Sequence, residues 1–390
     1  MAWITAAEAL GILGVRAQTL YANVSRGKIR ARPDKADSRR SLYHREDVLR
    51  MAKRSNGRRK VETVAAQAIE WGDPVLPSSI STVVDGRLWY RGQDAVALSR
   101  TASLEDIAAL LWECPTVPCL RSATGLNPAI HGAGGFEGAL RRGLVTLAER
   151  SANDLPSLGR ALPVLRDEAA SVLATLTQAM LGIDASNDDR TLSEHLATLW
   201  ARSDAGDVIR RALVLLADHE LNASAFAARV TISTGASLAA GMLSGLASLT
   251  GPLHGGASLA LNALIKSTRR LGVEDAVREW LALGRTLPGF GHPLYPDGDA
   301  RAAALLELVP ASGAYARLQV HVGHAVGEAP NIDFALAVIA DRFNLPVEAP
   351  FILFAIGRCV GWLAHALEQA GARRLIRPRA RYVGIVPEGV

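Results

Sequence analysis

The 390-residue chain has little cysteine, few aromatic residues and no clean apolar run of membrane-spanning length. Its three cysteines, Cys114, Cys119 and Cys359, have neither the C-x-x-C pairing of a zinc site nor the density of a disulfide framework. The expectation is packing thiols, no metal site and a cytoplasmic protein. The opening residues, MAWITAAEALGILG, carry no basic cluster ahead of their apolar positions and include Glu8, which reads against a secretory signal. Residues 230–253 hold no charge, yet Ser, Thr, Gly and a Gly-Pro step dilute them, so a buried pair of helices is expected rather than a membrane span. Internal repeats and low-complexity tracts are absent.

With 49% hydrophobic and 21% charged residues, the composition is that of a soluble globular protein long enough for two or three domains. The net charge of +5 conceals a division, because residues 1–60 hold 15 Lys and Arg against 5 Asp and Glu. The remainder is mildly acidic. A small basic module on a larger acidic body is the pattern expected when one part meets a polyanion.

Within the basic module, Thr5 and Glu8 form a capping box ahead of Ala6, Ala9, Leu10 and Leu13, and Gly14 ends that helix. A second helix is predicted from about Arg16 to Arg26, then a strand, a polar turn, a strand with Tyr43 and a helix from about Arg45. Two short helices across a glycine turn, followed by a hairpin, form a helix-turn-helix with a wing. The series AAE, LGV, TLY, GKI and RRSLYHREDV resembles the module of MerR-type regulators and excisionases. That resemblance implies DNA contact through Arg16, Gln18, Thr19, Tyr21, Arg39 and Arg40. A protein-docking appendage with a solvated basic face is the alternative. The module spans 1–54, and 55–63 reads as a basic linker.

Beyond residue 64 the apolar spacing is helical almost throughout, as in LEDIAALLWE (104–113), DEAASVLATLTQAML (167–181) and DVIRRALVLLADHEL (207–221). The best strand signal is ISTVVDGRLWYRG, with a hairpin turn at Asp85-Gly86. The fold class is therefore mainly α. Four histidines stand where helical patterns meet glycine or beside a carboxylate: His219 in DHELN, His254 in GPLHGGA, His292 in GFGHPLY and His365 in WLAHALE. His365, on an apolar helix, reads as a core residue. His254, between Gly251-Pro252 and Gly255-Gly256, occupies a helix-terminal setting open to a ligand. His292 taken alone reads as a loop residue, and Asp333 in PNIDFALAV taken alone reads as a helix cap. Arg301, Arg358 and Arg377 complete the set, and an arginine inside an apolar run such as AIGRCVGW requires an anion.

In this order GPLHGGA, GFGHPLYPDGDARA, PNID, RCVGWLAHALE and RPRARYVG, with DHELNAS upstream, resemble the signatures of the citrate synthase family. The resemblance implies a two-domain all-α body, with a large domain at 64–257 and 352–390, a small domain at 258–351, and a homodimer. It implies Asp333 as base, His254 and His292 as catalytic donors, and His219, Arg301, Arg358 and Arg377 as substrate-binding groups, with Arg377 reaching the partner's site. Asn222 and Ser224 would orient the histidines. Acetyl-CoA, or another short acyl-CoA, and oxaloacetate would be the substrates, without a permanently bound cofactor. A 2-methylcitrate synthase using propionyl-CoA, citryl-CoA cleavage, and a DNA-binding metabolite sensor with a degenerate body are the other readings. Departures from the pattern are Ser258-Leu259 where a polar pair is usual, Ala300 within the usual DPR triplet, no lysine just before PNID, and a short interval from His292 to Asp333.

Overall fold

The computed structural model describes residues 3–13, 17–25, 28–34, 40–49, 51, 76–118, 135–183, 190–252, 254–255, 257–380 and 384–385. The basic linker, Arg16, Arg39, Cys119 and the side chains of Gln18 and Thr19 lie outside the described residues. The chain divides into two compact units, 1–77 and 78–390.

In the first unit, α1 (Ala6–Leu13) starts at the expected capping box. The Thr5 hydroxyl accepts from the Glu8 N–H at 3.3 Å, and the Glu8 carboxylate accepts from the Thr5 N–H at 2.8 Å. Then follow α2 (Ala17–Ser25), β2 (Ala31–Pro33), β3 (Ser41–His44) and α3 at 45–49. With β1 (Trp3–Ile4) the strands form an antiparallel sheet of order β1-β3-β2. Ile4, Ala9, Leu13, Leu20, Ile29, Tyr43 and Val48 make its core. Buried Asp47 on α3 accepts from both Nε and Nη2 of Arg30, which ties the last helix to the strand region.

The second unit opens with β4 (Ser81–Val84), β5 (Arg87–Tyr90) and β6 (Gln93–Asp94) in an antiparallel sheet. The β4–β5 turn falls at Asp85-Gly86, where φ values of 50° and 69° give the handedness that two-residue hairpins favour. Helices follow: α4 (Ala95–Ser99), α5 (Leu104–Trp112), α6 (Gly135–Asn153), α7 (Leu162–Leu181), α8 (Leu192–Leu199), α9 (Gly206–Leu216), α10 (Ala223–Ser233), α11 (Leu238–Leu249), α12 (Ala257–Leu271), α13 (Val273–Ala282), α14 (Ala300–Leu308), α15 (Gly313–Ala325), α16 (Ile332–Arg342) and α17 (Ala349–Ala372). Helix α17 is the axis of the core, packed by α5, α7, α9, α10, α11 and α16. It is long and apolar enough to cross a membrane, yet 94% of its apolar window is buried inside the protein. The uncharged stretch at 230–253 lies largely in α10 and α11, antiparallel neighbours turned at Gly235.

Helix α9 stops five residues before the predicted end at Leu221. The reason is the buried carboxylate of Asp218, which accepts from the Ser81 hydroxyl and lies 3.4 Å from His365 Nε2. Helix α17 crosses this turn at Gly361, where a Cβ would stand 2.3 Å from both the Ala217 carbonyl oxygen and Asp218 Oδ1. Only glycine permits that approach. The result is a non-helical segment, 217–222, that carries His219.

Candidate active site

Four segments converge on one region of the second unit: the turn after α9, the α11–α12 connection, the loop before α14, and the loop into α16. Asn222 caps α10, its side-chain oxygen accepting from the Ala225 N–H at 3.0 Å. Two residues on, buried Ser224 touches three groups: Asn222 Oδ1 at 2.8 Å, His254 Nε2 at 2.8 Å, and the indole N–H of Trp362, which donates to Oγ at 3.0 Å. The hydroxyl has one proton for two neighbours, Asn222 Oδ1, which can only accept, and His254 Nε2. Given to Asn222, it leaves Nε2–H of His254 to donate to Ser224 Oγ; given to His254 Nε2, it leaves the imidazole proton on Nδ1 and makes that nitrogen a donor. His254 is held in the 251–255 turn by Gly255, where a Cβ would fall 2.0 Å from the Leu249 carbonyl oxygen.

His292 sits in a loop clamped to the entrance of α16. Gly291 N–H donates to Ala329 O, Asn331 N–H to Gly289 O at 2.9 Å, and Asn331 Nδ2 to Gly291 O at 3.0 Å. The Leu294 N–H donates to His292 Nδ1 at 3.1 Å, so the neutral ring carries its proton on Nε2. The His292 ring meets His219 edge to face at 5.0 Å and Tyr295 at 5.1 Å. His219 Nε2 lies 2.8 Å from the Tyr295 hydroxyl.

Two arginines, 2% and 1% exposed, supply the positive charge. Arg301 is paired with Asp299 through Nε and Nη2 at 3.0 and 2.8 Å, and its guanidinium lies 5.1 Å from the Tyr295 ring centre. Burial alone would lower its pKa, but Asp299 holds it above the ordinary value. Arg358 donates Nε to the Leu216 carbonyl at 2.9 Å, rests 5.0 Å from the Phe354 ring centre, and forms no ion pair among the described residues. Burial pulls its pKa down, with Asp218 opposing. A buried guanidinium without an ion pair among the described residues fits a ligand carboxylate.

These cations and the low polarity keep the histidines neutral. Burial, then Arg358, lowers His254 to about 4; burial, then Arg301, lowers His292 to about 4; His219 is driven well below the ordinary imidazole value by burial, Arg301 and Arg358. Neutral imidazoles donate hydrogen bonds without giving up a full proton, which suits stabilisation of a developing oxyanion. Asp333 behaves oppositely. Burial raises it to about 6 even though Arg301 and Arg358 pull it down. Its residue keeps some surface, opening on a small pocket lined by Gly255, Ser258, Pro350, Phe351 and Phe354.

Asp333 is not the cap of its helix. Asn331 is, accepting from the Asp333 N–H at 3.1 Å, which leaves the Asp333 carboxyl to the pocket. The loop containing His292 is part of the cleft rather than an incidental surface turn. His365 is fully buried between Asp218 and Arg229. Arg377 is exposed in the segment 374–380, which follows α17 and is neither helix nor strand. Tyr295, Trp362, Asp299 and Phe354 are cleft residues that sequence reasoning passed over. Among the described residues no group of three or more His, Cys, Asp or Glu is placed to hold a metal ion.

Fold and site together define a mainly helical protein in which two buried arginines lie among neutral histidines and a desolvated carboxylate. The family profile described as "Citrate synthase, C-terminal domain" matches residues 69–379. The citrate synthase of Haloferax volcanii is 30% identical over 342 residues, covering 77% of this chain and 90% of that protein. The 2-methylcitrate synthase of Shewanella oneidensis is 29% identical, covering 82% and 95%. The fold matches that of the Thermoplasma acidophilum citrate synthase, solved as a ternary complex with carboxymethyl coenzyme A and oxaloacetate, at TM-score 0.72 and 24% identity over 83% of this chain and 97% of that one. The chain belongs to the citrate synthase family of condensing transferases.

Proposed function

We propose that the protein condenses acetyl-CoA with oxaloacetate to give citrate and CoA. The observation that carries this reading is the desolvated Asp333 carboxyl, raised to about 6, in a pocket that also holds Gly255, the neighbour of His254. Asp333 removes a proton from the thioester methyl group while His254 Nδ1–H donates to the thioester oxygen, so the enol forms without a free enolate. The enol carbon attacks the oxaloacetate ketone, whose oxygen accepts from His292 Nε2–H. Arg301, Arg358 and His219 hold the carboxylates, and Arg377 reaches in from the second subunit of a homodimer. Hydrolysis of the citryl thioester by water then releases CoA and drives the reaction forward. Closure of a small domain, 258–351, over the large domain would keep water out until the carbon–carbon bond has formed. No permanently bound cofactor is needed. A thiol-release assay with acetyl-CoA and oxaloacetate tests the proposal; no turnover with any short acyl-CoA would overturn it.

A second reading is a 2-methylcitrate synthase. The acyl group would meet the apolar wall of Pro350, Phe351 and Phe354 beside Asp333, which suits an acetyl or a propionyl chain. One methylene is worth about 1–3 kcal/mol of discrimination, so the ratio of kcat/KM for propionyl-CoA and acetyl-CoA decides between them.

For residues 1–54 we propose a winged helix-turn-helix that binds DNA, in a protein working in the cytoplasm. Tyr21 and Arg40 are exposed, as are Lys28, Arg32 and Arg45. Binding through phosphates gives an affinity that falls linearly with salt on logarithmic axes. A salt-independent interaction, or none, would refute it. A metabolite sensor without catalysis is the reading to which Asp333→Ala speaks: a DNA-binding response to ligand that persists in the variant, where the parent protein never turns over substrate, would establish the sensor.

A further inference from the structure

Tyr295 sits among three groups assigned above to substrate. Its hydroxyl is 2.8 Å from His219 Nε2, its ring centre is 5.1 Å from the His292 ring centre, and Arg301 lies 5.1 Å over its face. A tight turn fixes it, with Tyr295 N–H donating to His292 O at 2.9 Å and Gly298 N–H to Tyr295 O at 3.0 Å. We infer that Tyr295 is a positioning residue: by donating its hydroxyl proton to His219 Nε2 it holds the His219 proton on Nδ1, turning that nitrogen into a donor for a substrate carboxylate.

The chemistry leaves one consistent arrangement. A buried, neutral imidazole has one N–H, and the bond made by one nitrogen decides where that proton sits. His219 Nδ1 is bonded to no described residue, while the neighbouring cations Arg301 and Arg358 mark the space beside the ring as one for an anion. A lone pair on Nδ1 would repel that anion, whereas an N–H would bind it. Nε2 must then accept, and Tyr295 is the group placed to give. Burial raises the phenol to about 12, so the hydroxyl keeps its proton at any working pH.

The inference rests on the oxaloacetate reading of the cleft, and the test separates the two. Full-length protein labelled with 15N in its histidine rings reports which nitrogen of His219 carries the proton, whatever the activity. In the parent protein Nδ1 should be protonated and Nε2 should accept. Tyr295→Phe keeps the ring and removes the hydroxyl, and should release or invert that preference. The same variant should raise the calorimetric Kd and the KM for oxaloacetate about tenfold, the loss expected for a misdirected hydrogen bond to a charged group. Its KM for acyl-CoA and its kcat should stay within about twofold. A His219 proton on Nε2 in the parent protein, or a tautomer unmoved by Tyr295→Phe, overturns the inference. A His219 tautomer as stated, with no oxaloacetate binding in either protein, overturns the substrate reading instead and leaves the Tyr295–His219 assignment standing.

Discussion

Asp333→Asn should inactivate the enzyme and stabilise it. In the folded protein burial raises the carboxyl from 3.8 to about 6. Each unit is worth ~1.4 kcal/mol, so ionised Asp333 costs the native state about 2–3 kcal/mol above pH 7, the lower figure allowing for its partial exposure. The sign follows from linkage. Above pH 6 both folded and unfolded chains carry the charge and the cost is complete; as pH falls from 6 towards 3.8 the native state binds the proton first and recovers that stability. Asparagine mimics the neutral acid and removes the cost. Urea unfolding of parent and variant at equal protein concentration should show a gain of about 2–3 kcal/mol at pH 8, shrinking to roughly 1 kcal/mol near pH 4.5. In the parent enzyme kcat/KM should fall about tenfold per pH unit below 6, since only the carboxylate can take the proton. A variant less stable than the parent at pH 8, or a gain equal at both pH values, would refute the assignment of Asp333 as a desolvated base.

Other outcomes test the remaining parts of the cleft. Ser224→Ala removes the contact 2.8 Å from His254 Nε2 and should lower kcat by about 10²-fold, with a small change in KM for oxaloacetate. Arg301→Gln leaves buried Asp299 without its partner and should cost about 3–5 kcal/mol of stability by thermal or urea unfolding. Arg358→Gln breaks no ion pair among the described residues, so its main effect should be a higher KM for oxaloacetate; an equal loss of stability in both arginine variants would contradict the contrast. Gly255→Ala drives a methyl group against the Leu249 carbonyl and should cost about 1–3 kcal/mol while misplacing His254, read as a fall in kcat out of proportion to the stability change.

Glycine and proline around His254 and His292 made the cleft loops legible, because such punctuation resists helix and strand alike. The Thr5 capping box and the Asp85-Gly86 turn were equally plain, each resting on contacts within a few residues. Long-range contacts were not legible. Nothing in DVIRRALVLLADHEL announces that Asp218 will be drawn inward by Ser81, 137 positions earlier, and end α9 before His219. Asp333 and Asn331 compete for the same cap, and only the fold gives the cap to asparagine. Trp362 and Tyr295 were passed over, since the partners that give them polar work, Ser224 and His219, lie 138 and 76 residues away.

The clamp between 289–291 and 329–331 makes His292 and Asp333 passengers on one piece of chain. Phe290 bridges Pro330, and Asp299 accepts from the Ile332 N–H at 3.1 Å while gripping Arg301, so His292, Asp333 and Arg301, the proposed ketone donor, base and carboxylate anchor, share a common mount. Such a mount can be tuned as a unit. A shift of α16 would carry Asp333 and His292 together, leaving their mutual spacing intact. Evolution could therefore adjust the reach of this half of the site towards a longer or shorter acyl group by moving a single loop pair, without rebuilding the chemistry it carries.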